Sequence, residues 1–199
     1  MTSDRYDPHP DEGEAVSNKL GLQDRDVVNE REVVGFAEAE HDALDQLNDN
    51  TKFTLEYLYT LHKRALGSLY EYAGQIRTAN ISKGGFMFAP AHVLPQTLQN
   101  FAREYLGTIN AREWLNKDEL LEYLAEMHAE LLFIHPFRDG NGRVIRLFTR
   151  LVFLAKAGAD LDFEHITKGD NFEKYVAAVQ QATKKEYTRM KELFREMQT

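Results

Sequence analysis

The most restrictive feature of this 199-residue chain is the stretch at 144–156, VIRLFTRLVFLAK, which is apolar on nearly every helical face apart from its arginines. A helix of that kind cannot lie on a surface, because it has no polar side to show water, and so it belongs at the centre of a bundle. Gly158 is placed to close it. Before it runs a second strong series, Leu120, Leu121, Leu124, Met127, Leu131 and Leu132, headed by Asn116 and Glu119 in capping-box spacing. Two such helices with a short loop between them predict an all-α fold.

The rest of the chain supplies the covering layers. Apolar residues from Val27 to Leu47 recur at helical spacing from about Asp26, and Thr54 is a cap for a helix carrying Leu55, Leu58, Leu61, Leu66 and Leu69. The pattern breaks at 72–95, where Gly74, Gly84, Gly85, Pro90 and Pro95 separate short β-prone pieces at 75–81 and 86–88, the signature of a hairpin or flap. Pro95 opens a short helix. Asp170 with Glu173 caps another, and ATKKEYTRMKELFREM is read as one closing helix.

Charge is unevenly placed. The net charge is −8, yet residues 1–50 hold fourteen acidic against four basic side chains while the rest holds 18 against 20. The expected organisation is an acidic extended arm over 1–22 ahead of a single domain over 23–199, with the flap at about 78–90, a motif at 135–146 and C-terminal helices over 170–197. An acidic surface repels phosphate backbones, which excludes a general nucleic-acid binder. With no cysteine, disulfides, thiol catalysis and zinc–thiolate sites are excluded. No run approaches the length of a membrane span and the start is not a signal peptide, so a cytoplasmic protein with no membrane partner is expected.

Between the two strong helices lies His135-Pro136-Phe137-Arg138-Asp139-Gly140-Asn141-Gly142-Arg143-Val144-Ile145-Arg146. Pro136 disfavours helix at His135 and so ends the preceding one. Gly140 and Gly142 flank Asn141, which tolerates left-handed geometry, and together they allow backbone N–H groups to converge on an anion. The helix starting near Gly142 adds its positive dipole end at the same point. Arg143 and Arg146 share a face, and 138–150 carries four arginines against one aspartate. Together these describe a polyphosphate site. Asp139 is a hard oxygen ligand suited to a Mg²⁺ that keeps most of its waters. His135 is the residue there able to exchange a proton near neutral pH.

HPFRDGNGRVIR resembles the signature of the Fic (filamentation-induced-by-cAMP) domain family, H-P-F-x-[D/E]-G-N-G-R-x-x-R, at every specified position, and YAGQIR with NISKGGFMFAP is similar to the segment leading into the Fic flap. The resemblance covers roughly residues 20–185 and implies a Fic-type helical bundle with a short β-hairpin flap near the active site. It implies an adenylyltransferase that moves AMP from ATP to a Tyr, Thr or Ser hydroxyl of a target protein, with Mg²⁺. His135 would be the general base and Asp139 the metal ligand. Gly140, Asn141 and Gly142 would form the anion hole, with Arg143 on the β-phosphate and Arg146 on the γ-phosphate. Phe137 would be a buried anchor. The flap, at about 82–89 with Gly84, Gly85, Phe86 and Met87 at its tip, would align the target by main-chain pairing, with Lys83 near nucleotide or target.

Three alternatives stand beside this. A Doc-like kinase carries lysine where this chain has Gly142. A transferase of another nucleotide would leave the motif unchanged. A catalytically inactive peptide-binding module would have little need of His135 and Asp139 together. Many relatives are inhibited by a helix of pattern [S/T]-x-x-x-E-[G/N], whose glutamate meets the second motif arginine. Thr188 to Glu192 satisfies its first five positions, making Glu192 the candidate inhibitory residue, but Leu193 follows where Gly or Asn is expected. The alternative is a separate small antitoxin protein supplying that helix, which would make this chain the toxin of a pair. His62, His128 and His165 lack metal-ligand spacing and are expected in core or boundary roles, and Trp114 in packing.

Overall fold

A computed structural model of the chain describes residues 17–168 and 170–198, so the first sixteen residues of the acidic arm lie outside the described part. The described end of the arm is tied down: Asn18 Oδ1 accepts from the amides of Leu20 and Leu22, and the Lys19 amide donates to Leu69 O at 2.8 Å. Helix α1 (Arg25–Gln46) starts from Asp24, whose carboxylate accepts from the amides of Asp26 and Val27. Helix α2 (Leu55–Leu66) starts from Thr54, whose hydroxyl accepts from the Tyr57 amide, as its sequence predicts.

These two helices cross closely because α1 has no side chain where they meet. A Cβ built on Gly35 would lie 2.1 Å from Ala65 O. Around that point Val28, Ala39, Ala65, Leu66, Leu69 and Tyr70 form a small second core, and Phe36 joins it to the main one.

The flap follows. Strands β1 (Ser82–Lys83) and β2 (Phe86–Met87) pair antiparallel, Ser82 with Met87 and Lys83 with Phe86, and Gly84 and Gly85 between them both take positive φ, as a primed two-residue turn demands. The hairpin is shorter than expected. Residues 75–81 form no strand because Arg77 turns its amide to Pro136 O and its guanidinium to the carbonyls of Ala79, Ala89, Ile134 and His135.

A 3₁₀ turn leads into α3 (Leu94–Phe101), with Pro95 in its first turn, and a π-type turn over 102–106 joins α3 to α4 (Gly107–Ala111). Helices α5 (Lys117–Ile134) and α6 (Asn141–Ala157) pack on each other and make the centre, with Leu124, Met127, Leu131, Val144, Phe148, Leu151 and Phe153 among the fully enclosed side chains. At the start of α5 the expected capping box is half made. Asn116 Oδ1 accepts from the Glu119 amide at 2.9 Å, but the Glu119 carboxylate reaches Arg112 and the Leu115 amide instead of closing back on Asn116.

Beyond Gly158, which caps α6 at φ 62°, come α7 (Glu164–Thr167), α8 (Asp170–Gln181) and α9 (Thr188–Glu196). Asp170 is already inside α8. The closing segment is two pieces, since Lys185 takes a left-handed φ of 60° after a 3₁₀ turn. That break lets Lys185 Nζ (2.7 Å) and the Tyr187 hydroxyl (2.6 Å) both donate to the Glu130 carboxylate on α5. The result is an all-α bundle with one two-stranded flap. Among the described residues no helix is long and apolar enough to cross a membrane.

Candidate active site

The 135–146 loop connects the two central helices, and its shape comes from a few local bonds. Helix α5 ends with His135 in the left-handed region (φ 51°, ψ 63°), a conformation that costs a non-glycine residue about 1 kcal/mol. Four contacts hold it there. Its amide donates to Leu131 O at 3.1 Å, its carbonyl accepts from Arg77 Nε at 2.7 Å, its ring stacks on Phe88 with centroids 3.8 Å apart, and Nδ1 lies 3.0 Å from Leu132 O. A carbonyl can only accept, so Nδ1 carries the proton and Nε2 presents a lone pair. That is the tautomer a general base needs.

The turn itself is closed by Asn141. Its Oδ1 accepts from the Phe137 amide and its Nδ2 donates to Phe137 O, both at 2.8 Å. The side chain is therefore a clamp, and an anion at this point would meet the backbone of Asn141. Gly140, at φ 71°, precedes α6, whose first-turn amides have no acceptor within the helix. Space for a side chain at Gly140 is lacking, since a Cβ there would lie 2.8 Å from Leu66 Cδ1.

Beneath the loop, His62 from α2 is fully enclosed. It stacks on Phe137 at 3.9 Å, Nε2 donates to Asp139 O at 2.9 Å, and Nδ1 accepts from the Gly74 amide at 2.8 Å. Burial pushes its pKa down to about 4, against a smaller upward pull from the Asp139 carbonyl, so it is neutral and structural. His128 is likewise core. It lies between the hydroxyls of Thr149 (2.8 Å) and Tyr175 (2.7 Å), and burial drives its pKa well down. His165 is exposed beside Glu196, and Trp114 packs against Tyr123 under Arg112.

Asp139 is buried at the loop, with Oδ1 accepting from the Gly140 amide and 3.6 Å from Arg143 Nη2. One hard carboxylate beside a phosphate-shaped backbone cradle suits a Mg²⁺ held chiefly by phosphate oxygens and water. Arg143 and Arg146 line one groove of about 570 Å³ with Phe36, Glu40, Asp160 and Phe163. The arginine excess read from 138–150 is smaller in three dimensions. Arg150 is engaged by Asp160 (2.6 Å) and Glu40, which raise its pKa, and Arg143 by Glu32 (2.6 Å), while Arg138 is exposed and lies over the Tyr72 ring. The flap sits against His135 through Phe88 and against Phe133 through Phe86, leaving Met87 58% exposed at the tip and Lys83 half-buried. Glu192 is exposed on α9, next to Lys191, which pairs with Glu126 of α5.

Three residues at the site escape a motif-centred reading: Arg77, Phe88 and Glu32. Glu32 had a signal. It falls in phase with Val28, Gly35, Ala39 and Ala43, the buried stripe of α1, where a carboxylate needs a partner. Arg77 and Phe88 had none beyond their place in the flap segment.

This fold and loop define a class, and the sequence matches it: the Fic/DOC family model covers residues 52–153, and the chain belongs to that family. Its relatives include the protein adenylyltransferase VbhT of Bartonella schoenbuchensis, 32% identical over 168 residues that make up 81% of this chain and 34% of VbhT. The probable protein adenylyltransferase y4lH of Sinorhizobium fredii is 30% identical over 155 residues, 74% of each chain. The chain thus spans about a third of VbhT and three quarters of y4lH. Among solved structures, the N-terminal Fic domain of a VirB-translocated Bartonella effector protein from Bartonella sp. AR 15-3 superposes with a TM-score of 0.79 at 24% identity, covering 96% of this chain and 90% of that one. BepC of Bartonella tribocorum, described with bound AMPPNP, gives 0.75 at 22% identity, covering 98% and 97%. At these identities the structures establish the fold.

Proposed function

We propose that this chain is a protein adenylyltransferase that moves AMP from ATP to a hydroxyl side chain of a target protein. The observation that carries the reading is the His135 tautomer: Nδ1 lies 3.0 Å from Leu132 O, which places the ring proton on Nδ1 and leaves the basic role to Nε2. The hydroxyl oxygen forms a bond to the α-phosphorus as the bond to the pyrophosphate oxygen breaks. The hydroxyl proton goes to Nε2 of His135, and pyrophosphate leaves with its electron pair. Gly140, Gly142 and the Asn141 backbone receive phosphate oxygens at the α6 N-terminus, with Arg143 on the β- and Arg146 on the γ-phosphate. Asp139 would hold Mg²⁺, which supplies charge neutralisation to the polyphosphate. The edge of the flap around Gly84, Gly85, Phe86 and Met87 suits main-chain pairing with an extended target segment, beside Lys83. The names of VbhT and y4lH support this activity.

The same reading takes residues 23–199 as one domain behind an acidic arm, working in a cytoplasmic setting where ATP is abundant. It assigns inhibition to a separate small antitoxin, which makes this chain the toxin of a pair. The groove beside Arg146, of about 570 Å³, can admit a glutamate side chain from a partner, whereas Glu192 is exposed on α9 amid contacts to α5. Glu192→Gly is expected to leave automodification unchanged, and a large rise would assign inhibition to α9 instead.

The deciding experiment incubates the protein with labelled ATP, Mg²⁺ and a cell lysate and weighs the product. A gain of AMP supports the reading, a gain of phosphate would indicate a Doc-like kinase, and no gain would indicate a binding module. His135→Ala should lower transfer at least about 100-fold while ATP affinity stays within roughly threefold.

A further inference from the structure

Arg143 is reached by a residue 111 positions away along the chain. Glu32 is 5% exposed, and its two carboxylate oxygens have two different partners: Oε2 accepts from Arg143 Nη1 at 2.6 Å, and Oε1 from the Tyr70 hydroxyl at 2.6 Å. One turn further along α1, Phe36 lies under the same guanidinium at 4.8 Å. Asp139 approaches its other end at 3.6 Å. Helix α1 therefore fixes both the tilt and the rotation of the Arg143 head group. Burying a carboxylate opposes folding before it is paired, so for stability alone an apolar residue in the α1 stripe would serve as well.

We propose that Glu32 is a positioning residue for Arg143: it holds the guanidinium so that the arginine meets the nucleotide β-phosphate already oriented. The proposal rests on the adenylyltransferase reading of the site. It differs from the family's inhibitory glutamate in geometry, because Glu32 engages Arg143 and not Arg146. Tyr70 sets the carboxylate in turn. Its pKa is raised by burial and by Glu32, so its hydroxyl stays a donor.

The test is a double-mutant cycle on the full chain, reading the affinity for a non-hydrolysable ATP analogue with Mg²⁺ by calorimetry or competition up to millimolar concentrations. Glu32→Ala should weaken binding about tenfold in the wild-type background and less than about twofold beside Arg143→Met, because the effect passes through Arg143. With ATP as substrate the loss should appear in KM, with kcat within about twofold. Glu32→Gln can keep an oxygen on Arg143 and turn its amide to the Tyr70 oxygen, so it should recover binding to within roughly threefold of wild type. If Glu32→Ala does not fold, Tyr70→Phe replaces it, with a roughly threefold loss that disappears beside Arg143→Met. Equal losses in both backgrounds would overturn the proposal while leaving the activity intact. So would tighter binding by Glu32→Ala, which would mark Glu32 as a competitor of phosphate. Absence of nucleotide binding by the wild type would overturn both readings together.

Discussion

Acidification should destabilise this protein through His62. The imidazole has a folded pKa of about 4 against about 6.5 in an unfolded chain, because burial opposes its charged form by more than the Asp139 carbonyl on Nε2 favours it, and Nδ1, where the second proton would go, already accepts from the Gly74 amide. The depressed value means that the unfolded chain binds the proton more readily. The stabilisation is therefore complete above pH 6.5 and is lost as pH falls from 6.5 toward 4. Between pH 7 and pH 5 the loss from this one side chain is roughly 2 kcal/mol, approaching 3 at pH 4. His128, also depressed, pulls in the same direction, so wild type alone cannot apportion the effect. Urea unfolding of wild type and of His62→Gln at both pH values isolates it, because His128 is present in both. The variant should be less stable at pH 7 but should lose roughly 2 kcal/mol less on going to pH 5. Parallel losses in the two proteins would refute the reasoning.

Two further outcomes follow from the same loop. Gly140→Ala combines a left-handed backbone with a 2.8 Å approach to Leu66, and should cost about 2–4 kcal/mol, a fall of roughly 5–15 °C in Tm by circular dichroism. Arg77→Met removes the donor shared by the carbonyls of Ala79, Ala89, Ile134 and His135, and should cost about 2–4 kcal/mol by urea unfolding. Arg77→Lys should recover little of it, since one ammonium cannot reproduce the planar fork.

The bundle and the 135–146 loop were legible because their signals are local. Two apolar runs with twelve motif residues between them place His135, Asp139 and Arg143 at a helix junction whatever surrounds them. What could not be read depends on partners far along the chain. Arg77 lies 58 residues from His135, and by diverting its bonds to that junction it shortens the flap that the glycines and β-prone residues announce. The division between α8 and α9 has the same origin. Lys185 gives up helical geometry so that it and Tyr187 can reach Glu130, an interaction that no pattern within 182–197 discloses. Likewise the positive excess counted over 138–150 ignores Glu32, Glu40 and Asp160, which the fold brings to those arginines.

The flap consists of two parts with different lifetimes. Its tip has just two paired positions around two glycines, too little to stay closed by itself. Its root is fastened to the bundle by Arg77 and by the Ala89 amide on Phe133 O. Amide hydrogens at Gly84 and Gly85 should therefore exchange with solvent deuterium quickly, while those of Arg77 and Ala89 exchange only in openings that disturb the end of α5. The division separates two kinds of change over time. Met87, exposed at the tip, can be replaced, and the face shown to other molecules altered, without disturbing how His135 is held.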